Sequence, residues 1–474
     1  MVTYTCDKCN KEFKQKGNYT KHTKRITPCA PKIKNTLIVT AEVTDVSNVT
    51  DVSNVTDVTD VSNVTHVSSV ADTINVSTEP IIPTNLKFID LFCGIGGFHQ
   101  ALVRLNGTCV FACDIDEQCR KTYEKNYNLK PEKDIIDVNI GSIPDFDVLC
   151  AGFPCQSFSN SGKKKGFDDK RGKLFESILD IALEKKPSFM FLENVKHIKK
   201  IDNGKIFKHI LDRINETGYY VTTTELSPHQ LGVPQQRERV VFMCIRNDLY
   251  KKEIDLKFKI PTIPINLDAI FEKDTTKTEK YKISKEEEEI LTVWDKMVNK
   301  FNIDENLSPT ILCNEFQKKY TEEQMKELPS WKQEYITKNK PIYQKYKIFW
   351  DSWLIDHKKI LTKKEIYGKL EWQAGRKKEN DSIFNHFIQL RQSGIRVKKG
   401  KYFPTLVAIV QTPIYAKEKR YITPRECARL QSFPDSFILN ENDKIAYKQF
   451  GNAVNVEVVH FVMSNTLKAY NFIK

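Results

Sequence analysis

The chain has 474 residues, of which 40% are hydrophobic, which is enough for about two to three domains that each bury a core. Its 74 Lys and Arg residues outnumber 61 Asp and Glu residues, and the formal charge of +13 favours a polyanionic partner. No apolar run approaches the roughly 18 residues of a membrane span, and the first ten residues lack a signal-peptide core. The cysteines after position 30 have no regular spacing and are interpreted as reduced thiols. We therefore expect a soluble, intracellular chain that does not enter a membrane.

The first 34 residues have the spacing of a small zinc-binding module. Cys6-x-x-Cys9 is followed after twelve residues by His22, and no second histidine follows within five residues. Three thiolates and one imidazole suit tetrahedral zinc, so we predict one structural zinc ion. Its predicted ligands are Cys6, Cys9, His22 and Cys29. The segment resembles a two-cysteine, two-histidine zinc finger with the last histidine replaced by cysteine; the alternative is a disordered basic tail.

Residues 35–85 are predicted to form a disordered repeat linker. Between positions 43 and 70 a valine recurs at every third position, which matches neither the period of a strand nor that of a helix. No Lys or Arg occurs between Lys34 and Lys87, so the segment contrasts with its basic neighbours. The alternatives are a tether that lets the first module search independently, and a small β-solenoid.

A glycine turn after the next predicted strand indicates a ligand site. Lys87 to Phe92 is a short apolar strand, and Gly94-Ile95-Gly96-Gly97 leads from it into an amphipathic helix. Glycines here let the backbone approach a ligand closely. His99 stands where a dinucleotide fingerprint has its third glycine, which disfavours a pyrophosphate cofactor.

Two acidic residues complete this predicted site. Asp114 ends a second strand, Thr108 to Cys113, and its carboxylate can accept hydrogen bonds from a ribose. Asp134 precedes a third apolar strand and could bind an adenine amino group. A nucleoside pocket without a phosphate cradle suits S-adenosylmethionine. The alternative is that these residues serve only turns and strand ends.

Cys155 is the leading candidate nucleophile. It follows a strand-like run, residues 146–152, and lies at the rim of a predicted open α/β sheet, where such folds bind ligands. Glu193 follows a further apolar strand, residues 189–192, at the same edge. A thiolate that adds to C6 of a pyrimidine needs a proton donor at N3. A carboxyl group buried among apolar neighbours can donate that proton.

Two arginines open the next predicted strand, Val240 to Ile245. Arg237 and Arg239 are two positions apart, so on a strand they face the same side. Together they could bind a base carbonyl and a phosphate. The alternative is an ion-pair edge that involves Glu238.

Six ordered motifs make residues 87–474 resemble the C5-cytosine DNA methyltransferases, in the compact form of bacterial restriction-modification enzymes. The motifs are FIDLFCGIGG from Phe88, GFPCQSFS from Gly152, ENV from Glu193, Gln235-x-Arg237-x-Arg239, RECARLQSFP from Arg425 and QFGNAV from Gln449. The resemblance implies methyl transfer from S-adenosyl-L-methionine to C5 of a flipped-out cytosine in a specific double-stranded DNA sequence. The implied fold is α/β, a Rossmann-like methyltransferase sheet flanked by helices, with a smaller α+β target-recognition domain beside the small N-terminal zinc finger.

The resemblance also implies roles for matching residues. Cys155 would attack C6, Glu193 would protonate N3, and Arg239 would hold the base carbonyl with Arg237 close by. The implied cofactor-binding residues are Phe92, Gly94, Gly96, Asp114, Asp134 and Asn452. Glutamate is commoner in the family at the position of Asp114. The loop after the nucleophile would close over DNA once the cytosine is flipped, and its candidate DNA-binding residues are Gln156, Ser159, Lys163, Lys165 and Arg171.

Residues 247–420 interrupt the motif pattern, and the resemblance makes them the target-recognition domain. Ile290, Trp294 and Met297 recur at helical spacing and predict a buried helix face. Arg391 and Arg396 lie near a glycine and are further DNA-binding candidates, since arginines can reach guanine edges. The predicted divisions are 1–34 for the finger, 35–85 for the linker, 86–246 for the catalytic domain, 247–420 for recognition and 421–474 for the return to the catalytic domain.

Two alternatives compete with a DNA-modifying enzyme. A tRNA cytosine methyltransferase shares these motifs, but that branch lacks a long recognition region and a finger. A non-catalytic DNA-binding module would have lost Cys155, Glu193 or the arginines, and all are present. A cognate restriction endonuclease is the partner that the resemblance allows, and we expect a monomer.

Overall fold

The computed structural model describes residues 86–154, 172–302, 307, 309–408 and 411–473, together with two short strands near the N-terminus. The chain divides into two compact units, Met1–Thr78 and Glu79–Lys474. The predicted zinc ligands, the repeat linker and the segment that begins at Cys155 lie outside the described residues. Within the described ranges, no helix is long and apolar enough to cross a membrane.

The first unit contains one described pair of antiparallel strands, β1 (Tyr4–Thr5) and β2 (Glu12–Phe13). Tyr4 pairs with Phe13, and Thr5 pairs with Glu12. In the sequence, Cys6 and Cys9 stand between these strands. The zinc-finger assignment stays a prediction.

The second unit is built on a six-stranded sheet in the order β4-β3-β5-β6-β8-β7. Its strands are β3 (Lys87–Leu91), β4 (Thr108–Cys113), β5 (Val148–Ala151), β6 (Phe189–Val195), β7 (Tyr219–Leu226) and β8 (Arg239–Arg246). The first four are parallel, whereas β8 runs antiparallel to both β6 and β7. All of β5 and nearly all of β6 are buried, as expected for apolar parallel strands covered on both faces.

Helices connect consecutive strands of this sheet. They are α1 (Gly97–Val103), α2 (Glu117–Tyr127), α3 (Gly172–Lys185) and α4 (Lys205–Glu216). Alternate residues of β3 enter separate hydrophobic clusters on the two faces, Phe88 on one and Ile89 on the other. The predicted α/β methyltransferase sheet flanked by helices is confirmed.

The strand order reverses at β3, which has β4 on one side and β5 on the other. At such a point the carboxyl ends of parallel strands leave a crevice where ligands bind. Phe92, Asp114 and Gly152 directly follow β3, β4 and β5. The sheet therefore brings the cofactor candidates and the segment before Cys155 to one edge.

A second six-stranded sheet lies in residues 310–421, in the order β14-β13-β11-β12-β10-β9. Its strands are β9 (Thr310–Leu312), β10 (Lys369–Gln373), β11 (Phe387–Arg391), β12 (Gly394–Lys398), β13 (Ile414–Tyr415) and β14 (Arg420–Tyr421). The helices between β8 and β10 are α5 (Thr275–Thr278), α6 (Lys285–Lys300), α7 (Glu322–Glu327), α8 (Ser330–Lys345), α9 (Lys347–Asp356) and α10 (Lys358–Leu361). The predicted helix face is confirmed, since Ile290, Trp294 and Met297 are fully buried on α6.

The two faces of the second sheet differ in chemistry. Ile388, Ile395 and Leu370 lie in one hydrophobic cluster with the buried face of α6. On the opposite face, Glu371 pairs with Arg396 across two parallel strands, as the alternation of side chains along a strand requires. One face therefore forms a core, and the other carries charged groups.

After the second sheet the chain returns to the first one through α11 (Pro424–Leu430), α12 (Asp443–Asn452) and α13 (Val456–Ala469). Helix α13 packs against α1. Arg104 at the end of α1 forms a 2.8 Å ion pair with Glu457. The last helix thus lies beside the helix that follows the glycine turn.

Candidate active site at the edge of the first sheet

The turn after β3 is held in a left-handed backbone conformation. Phe92, Gly94 and Gly96 have φ values of 52°, 56° and 86°. A Cβ atom added to Gly94 would meet nothing within 4 Å, whereas one added to Gly96 would collide with the Tyr127 ring. Gly94 therefore faces open space in the crevice, and Gly96 is required by packing behind it.

Asp114 fastens this turn to the end of β4. Its Oδ2 accepts a 2.8 Å hydrogen bond from the Gly94 backbone N–H, and its Oδ1 accepts one of 2.8 Å from Asp116. Burial raises the pKa of the Asp114 carboxyl, although these hydrogen bonds oppose the rise. Each oxygen keeps a further lone pair that can accept another hydrogen bond.

The segment that carries Asp134 lies next to Asp114. The Asp114 N–H donates to the Glu132 carbonyl oxygen at 3.0 Å, which aligns this segment with the end of β4. The Asp134 side chain accepts a 3.1 Å hydrogen bond from the Ile136 N–H. The structure therefore brings together the two acids that the sequence singled out.

Sequence reasoning missed two exposed aliphatic residues at the same place. Ile115 is 69% exposed and Ile136 is 50% exposed, and each stands one or two positions after one of the acids. Other large apolar side chains of the described residues are exposed too, but these two lie beside the acids of the crevice. In the sequence, each of these isoleucines is visible only as an apolar residue close to one of the acids. Its exposure in the structure is what distinguishes it from a core residue.

The C-terminal return covers the glycine turn. Asn452 ends α12 and is exposed. A Cβ atom added to Gly97 would lie 2.5 Å from the Val454 carbonyl oxygen, and one added to Gly152 would lie 3.2 Å from Val454 Cγ2. The segment after Asn452 thus contacts both the turn after β3 and the chain that leads to the nucleophile.

The backbone before Cys155 is anchored from β6. The Asn194 side-chain Nδ2 donates a 3.0 Å buried hydrogen bond to the Phe153 carbonyl oxygen. The Phe153 ring is buried, 5.4 Å from the Phe175 ring and 6.2 Å from the Phe242 ring. Asn194 therefore fixes the chain two residues before the candidate nucleophile, a role that sequence reasoning did not give it.

Glu193 and Arg239 form an ion pair at this edge. Arg239 Nε lies 2.8 Å from Glu193 Oε1, and each side chain is 12% exposed. Glu193 pairs across the sheet with Val241, two residues from Arg239, so both side chains project from the same face. A Cβ atom added to Gly152 would be 3.9 Å from Glu193 Oε2. The pair therefore lies beside the segment that ends at Cys155.

The surroundings of this pair differ from the expectation. Glu193 was expected among apolar neighbours, but a guanidinium group contacts it because the antiparallel register brings Arg239 alongside. Burial lowers the pKa of Arg239, while the charge of Glu193 acts in the opposite direction. Arg239 Nη1 also donates to the Glu238 carbonyl oxygen at 2.8 Å.

Arg237 points elsewhere. Strand β8 begins only at Arg239, so the expected i and i+2 arrangement on one strand face does not form. Arg237 is 2% exposed, and its guanidinium group donates to three backbone carbonyl oxygens. These belong to Leu406 at 2.7 Å, Gly451 at 3.0 Å and Ala453 at 3.0 Å. Arg237 therefore joins the start of β8, the segment between β12 and β13, and the C-terminal return.

The DNA-binding candidates fall into two groups. Gln156, Ser159, Lys163, Lys165 and Arg171 lie outside the described residues. Arg391 and Arg396 lie on the charged face of the second sheet, on β11 and β12. Lys398, two residues after Arg396, experiences the charges of both Arg396 and Glu238.

The predicted metal ligands cannot be placed. Cys6, Cys9, His22 and Cys29 lie outside the described residues. Across the ranges that the structure does describe, no group of three or more His, Cys, Asp or Glu residues could hold a metal ion.

Comparisons with known proteins place these motifs in context. Residues 86–468 match the family described as C-5 cytosine-specific DNA methylase. The Type II methyltransferase M.HhaI of Haemophilus parahaemolyticus is 32% identical over 389 residues, which cover 82% of this chain and 96% of that protein. M.DsaV of Dactylococcopsis salina is 31% identical over 81% of this chain and 86% of its own length. M.HpaII of Haemophilus parainfluenzae is 30% identical over 81% and 89%. A solved methyltransferase structure from Entamoeba histolytica, EhMeth, matches with a TM-score of 0.47 and 20% identity over 81% of this chain and 98% of that one.

Proposed function

Because the chain belongs to the C-5 cytosine-specific DNA methylase family and is a DNA (cytosine-5-)-methyltransferase, we propose that Cys155 forms a covalent adduct with a flipped-out cytosine during methyl transfer from S-adenosylmethionine. The observation that carries the proposal is the Glu193–Arg239 pair, 2.8 Å apart, beside the segment that leads to Cys155. O2 and N3 are neighbouring atoms on one edge of cytosine. A guanidinium group and a carboxyl group in contact suit these two atoms.

The crevice after β3 and β4 fits the nucleoside part of S-adenosylmethionine, which supplies an electrophilic methyl group. Gly94 faces open space, and the carboxylates of Asp114 and Asp134 retain acceptor capacity for a ribose and an adenine amino group. The exposed side chains of Ile115 and Ile136 offer apolar surface to a flat ring. The residues proposed to hold the cofactor are Phe92, Gly94, Gly96, Asp114, Asp134 and Asn452.

The proposed reaction begins with addition of the Cys155 thiolate to C6 of the cytosine. The C5–C6 π electrons move through C4 to N3, which takes a proton from Glu193, while Arg239 donates a hydrogen bond to O2. Glu193 must carry a proton for this step, which it gives to N3 as the ring accepts the electrons. The product is an enamine whose C5 carbon is nucleophilic.

The second half of the reaction restores the aromatic base. C5 accepts the methyl group, and its proton then leaves to a base or to water. The electrons of the C5–H bond re-form the C5–C6 double bond and expel the Cys155 thiolate, and N3 returns its proton to Glu193. Asn194 serves as a positioning residue, since it holds the Phe153 carbonyl and with it the approach of Cys155.

Arg237 is proposed to support the site without touching the base. Its three hydrogen bonds to backbone carbonyls leave it buried and engaged. The loop after Cys155 is proposed to close over the DNA, with contacts from Gln156, Ser159, Lys163, Lys165 and Arg171. Residues 247–420, which contain most of the second sheet, are proposed to recognise the target sequence.

The N-terminal module is proposed to bind one structural zinc ion through Cys6, Cys9, His22 and Cys29, from their spacing alone. The zinc content of the purified full chain measures this, and a Cys6→Ala variant that keeps the metal would contradict it.

We also propose that the enzyme is a monomer, which sedimentation of the full chain tests. A cognate restriction endonuclease is its proposed partner in the cell. Such a nuclease would cut the target sequence only where the cytosine is unmethylated, and a host genome that encodes none would contradict the proposal.

The proposed function is tested by bisulfite sequencing of DNA from cells that express the full chain. We expect methylated cytosines in one sequence context, and none with Cys155→Ser. Cys109→Ser is the matched control. Cys109 lies near the start of β4, at the end of the strand away from Asp114, so this substitution should leave methylation unchanged. Methylation that survives Cys155→Ser would contradict the nucleophile, and methylation in unrelated contexts would contradict sequence recognition.

A further inference from the structure

The charged face of the second sheet carries two arginines around one carboxylate. Glu371 Oε2 accepts a 2.6 Å hydrogen bond from Arg396 Nε and forms an ion pair with Arg396 Nη2, which also lies 2.6 Å away. Arg391 Nη1 lies 3.9 Å from the same oxygen. The Glu371 side chain is 9% exposed, whereas those of Arg391 and Arg396 are 27% and 26% exposed. We call Glu371, Arg391 and Arg396 the arginine cluster.

Strand register explains why these side chains meet. Glu371 stands opposite Arg396 on β10 and β12, and Arg396 stands opposite Gln389 on β11. Residues directly opposite one another project from the same face of a sheet. Arg391 stands opposite Gly394, which has no side chain to cover it. The pairing of the strands, and not the conformation of a loop, therefore sets the relative positions of the three residues of the arginine cluster.

In each of the two guanidinium groups, some nitrogen atoms donate hydrogen bonds within the protein and at least one other does not. Arg391 Nε donates to Gln411 Oε1 at 3.1 Å, and Gln389 Nε2 donates to the Gln411 carbonyl oxygen at 3.0 Å. Arg391 Nη1 is buried and has no hydrogen-bond partner among the described residues. Arg396 uses Nε and Nη2 for Glu371, and its Nη1 has no partner in the described part of the chain. A guanidinium group has five N–H donors, and the Arg391 and Arg396 side chains are about a quarter exposed, so each keeps donors on its exposed part for a ligand that carries acceptors.

The charge balance of the cluster also favours an acceptor. Two guanidinium groups face one carboxylate, which leaves one positive charge uncompensated within the cluster. Burial lowers the pKa of Arg391, and the nearby charge of Arg396 lowers it further, while Glu371 opposes both effects. Lys398, two residues after Arg396 on β12, adds a cation on the same face.

We propose that Arg391 and Arg396 read a guanine of the target site in the major groove, and that Glu371 is a positioning residue that orients Arg396. Guanine presents two acceptors, O6 and N7, to which adjacent N–H groups of arginine can donate. Adenine places an amino donor beside N7, which a guanidinium group cannot accept. This inference rests on the proposed function. A phosphate oxygen would also accept from arginine but would carry no sequence information.

The first experiment measures selectivity at every position of the target site. The full chain methylates a library of random duplexes, and bisulfite sequencing gives the preference at each position. We expect Arg391→Gln and Arg396→Gln to lose about tenfold or more of their discrimination at one shared G·C pair and to keep the others. Glu371→Gln keeps the shape but not the charge, and should lose part of the same discrimination. Arg376→Gln, an exposed arginine outside the cluster, is the matched control and should keep the wild-type preference.

The second experiment leaves the protein unchanged. A duplex with 7-deazaguanine at the shared position lacks the N7 acceptor. We expect the wild-type chain to methylate it about tenfold more slowly, and Arg396→Gln to show no additional loss. Because the wild-type chain is used, a variant that fails to fold does not affect this result.

Three outcomes overturn the inference. Activity that falls equally for all sequences in the arginine variants indicates a phosphate contact. Relaxation at an A·T pair excludes guanine, and unchanged selectivity in all three variants removes the cluster from recognition. A wild-type chain that methylates no DNA contradicts the proposed function instead, so the two failures are distinguishable.

Discussion

Glu193 and Arg239 are placed as a pair before any base is bound. Each side chain is only 12% exposed, so the 2.8 Å contact offsets a desolvation cost that either charge would bear alone. Its functional value lies in geometry, because neighbouring groups on the protein match neighbouring atoms on the base. Asn194, the next residue, fixes the Phe153 carbonyl. Two adjacent residues therefore supply the proposed acid and hold the segment that leads to the proposed nucleophile.

Glu193→Gln tests the proton donor. Glutamine keeps the shape of the side chain but cannot protonate N3, so the single-turnover rate of methyl transfer should fall about 10²- to 10⁴-fold. The matched control is Glu176→Gln, whose partner Arg213 lies 2.6 Å away on a more exposed surface. That variant should keep a rate within about twofold of the wild type, as surface ion pairs contribute little. A wild-type rate in Glu193→Gln would exclude Glu193 as the donor.

At the scale of elements, Arg237 joins segments that are far apart in the sequence. Its guanidinium group holds carbonyl oxygens of Leu406 and of Gly451, which are 169 and 214 positions away. Beside it, the Thr405 hydroxyl donates to the Gln236 carbonyl oxygen at 2.6 Å. These bonds connect the start of β8 to the end of the recognition segment and to α12. A change at Arg237 should therefore act on the assembly of the site before it acts on chemistry.

Arg237→Lys tests this supporting role. A lysine ammonium cannot reach all three carbonyl oxygens in the guanidinium geometry, so we expect the free energy of unfolding to fall by about 2–4 kcal/mol. Urea denaturation of the full chain measures it. Arg246→Lys at the other end of β8 is the control, because Arg246 pairs with Asp248 at the surface and should cost under about 1 kcal/mol. Equal losses in both variants would contradict the supporting role.

The elements show which features the sequence could predict. The predicted strand over Thr108–Cys113 has the observed bounds, and the apolar stripe of α6 is buried, because both depend on local periodicity. The different directions of Arg237 and Arg239 could not be predicted. They follow from carbonyl partners more than 160 residues away and from the residue at which β8 begins. The exposure of Ile115 could not be predicted either, because it depends on whether other parts of the chain pack over that position.

At the scale of the second unit, two sheets divide the work of one enzyme. The first sheet supplies a crevice at the carboxyl ends of its strands, and the second presents a charged face backed by an apolar layer of helices. A bridge between Gln235 and Phe403 joins the edge of the site to the segment between β12 and β13 of the second sheet. The motifs around the first sheet were recognisable in the sequence. Arg391 and Arg396 were also singled out in the sequence, but their partner Glu371 was not, because strand register brought it to residues 20 and 25 positions further along the chain.

The covalent adduct is the central claim, and a duplex with 5-fluorocytosine at the methylated position tests it most directly. Fluorine at C5 cannot leave as a proton does, so the last step is blocked and the adduct should persist. With the wild-type chain and S-adenosylmethionine, we expect a protein–DNA complex that survives denaturation and whose mass spectrum places the base on Cys155. Cys155→Ser should give none. If the wild-type chain methylates ordinary cytosine but traps no fluorinated duplex, or if the base is attached to another residue, the account is contradicted.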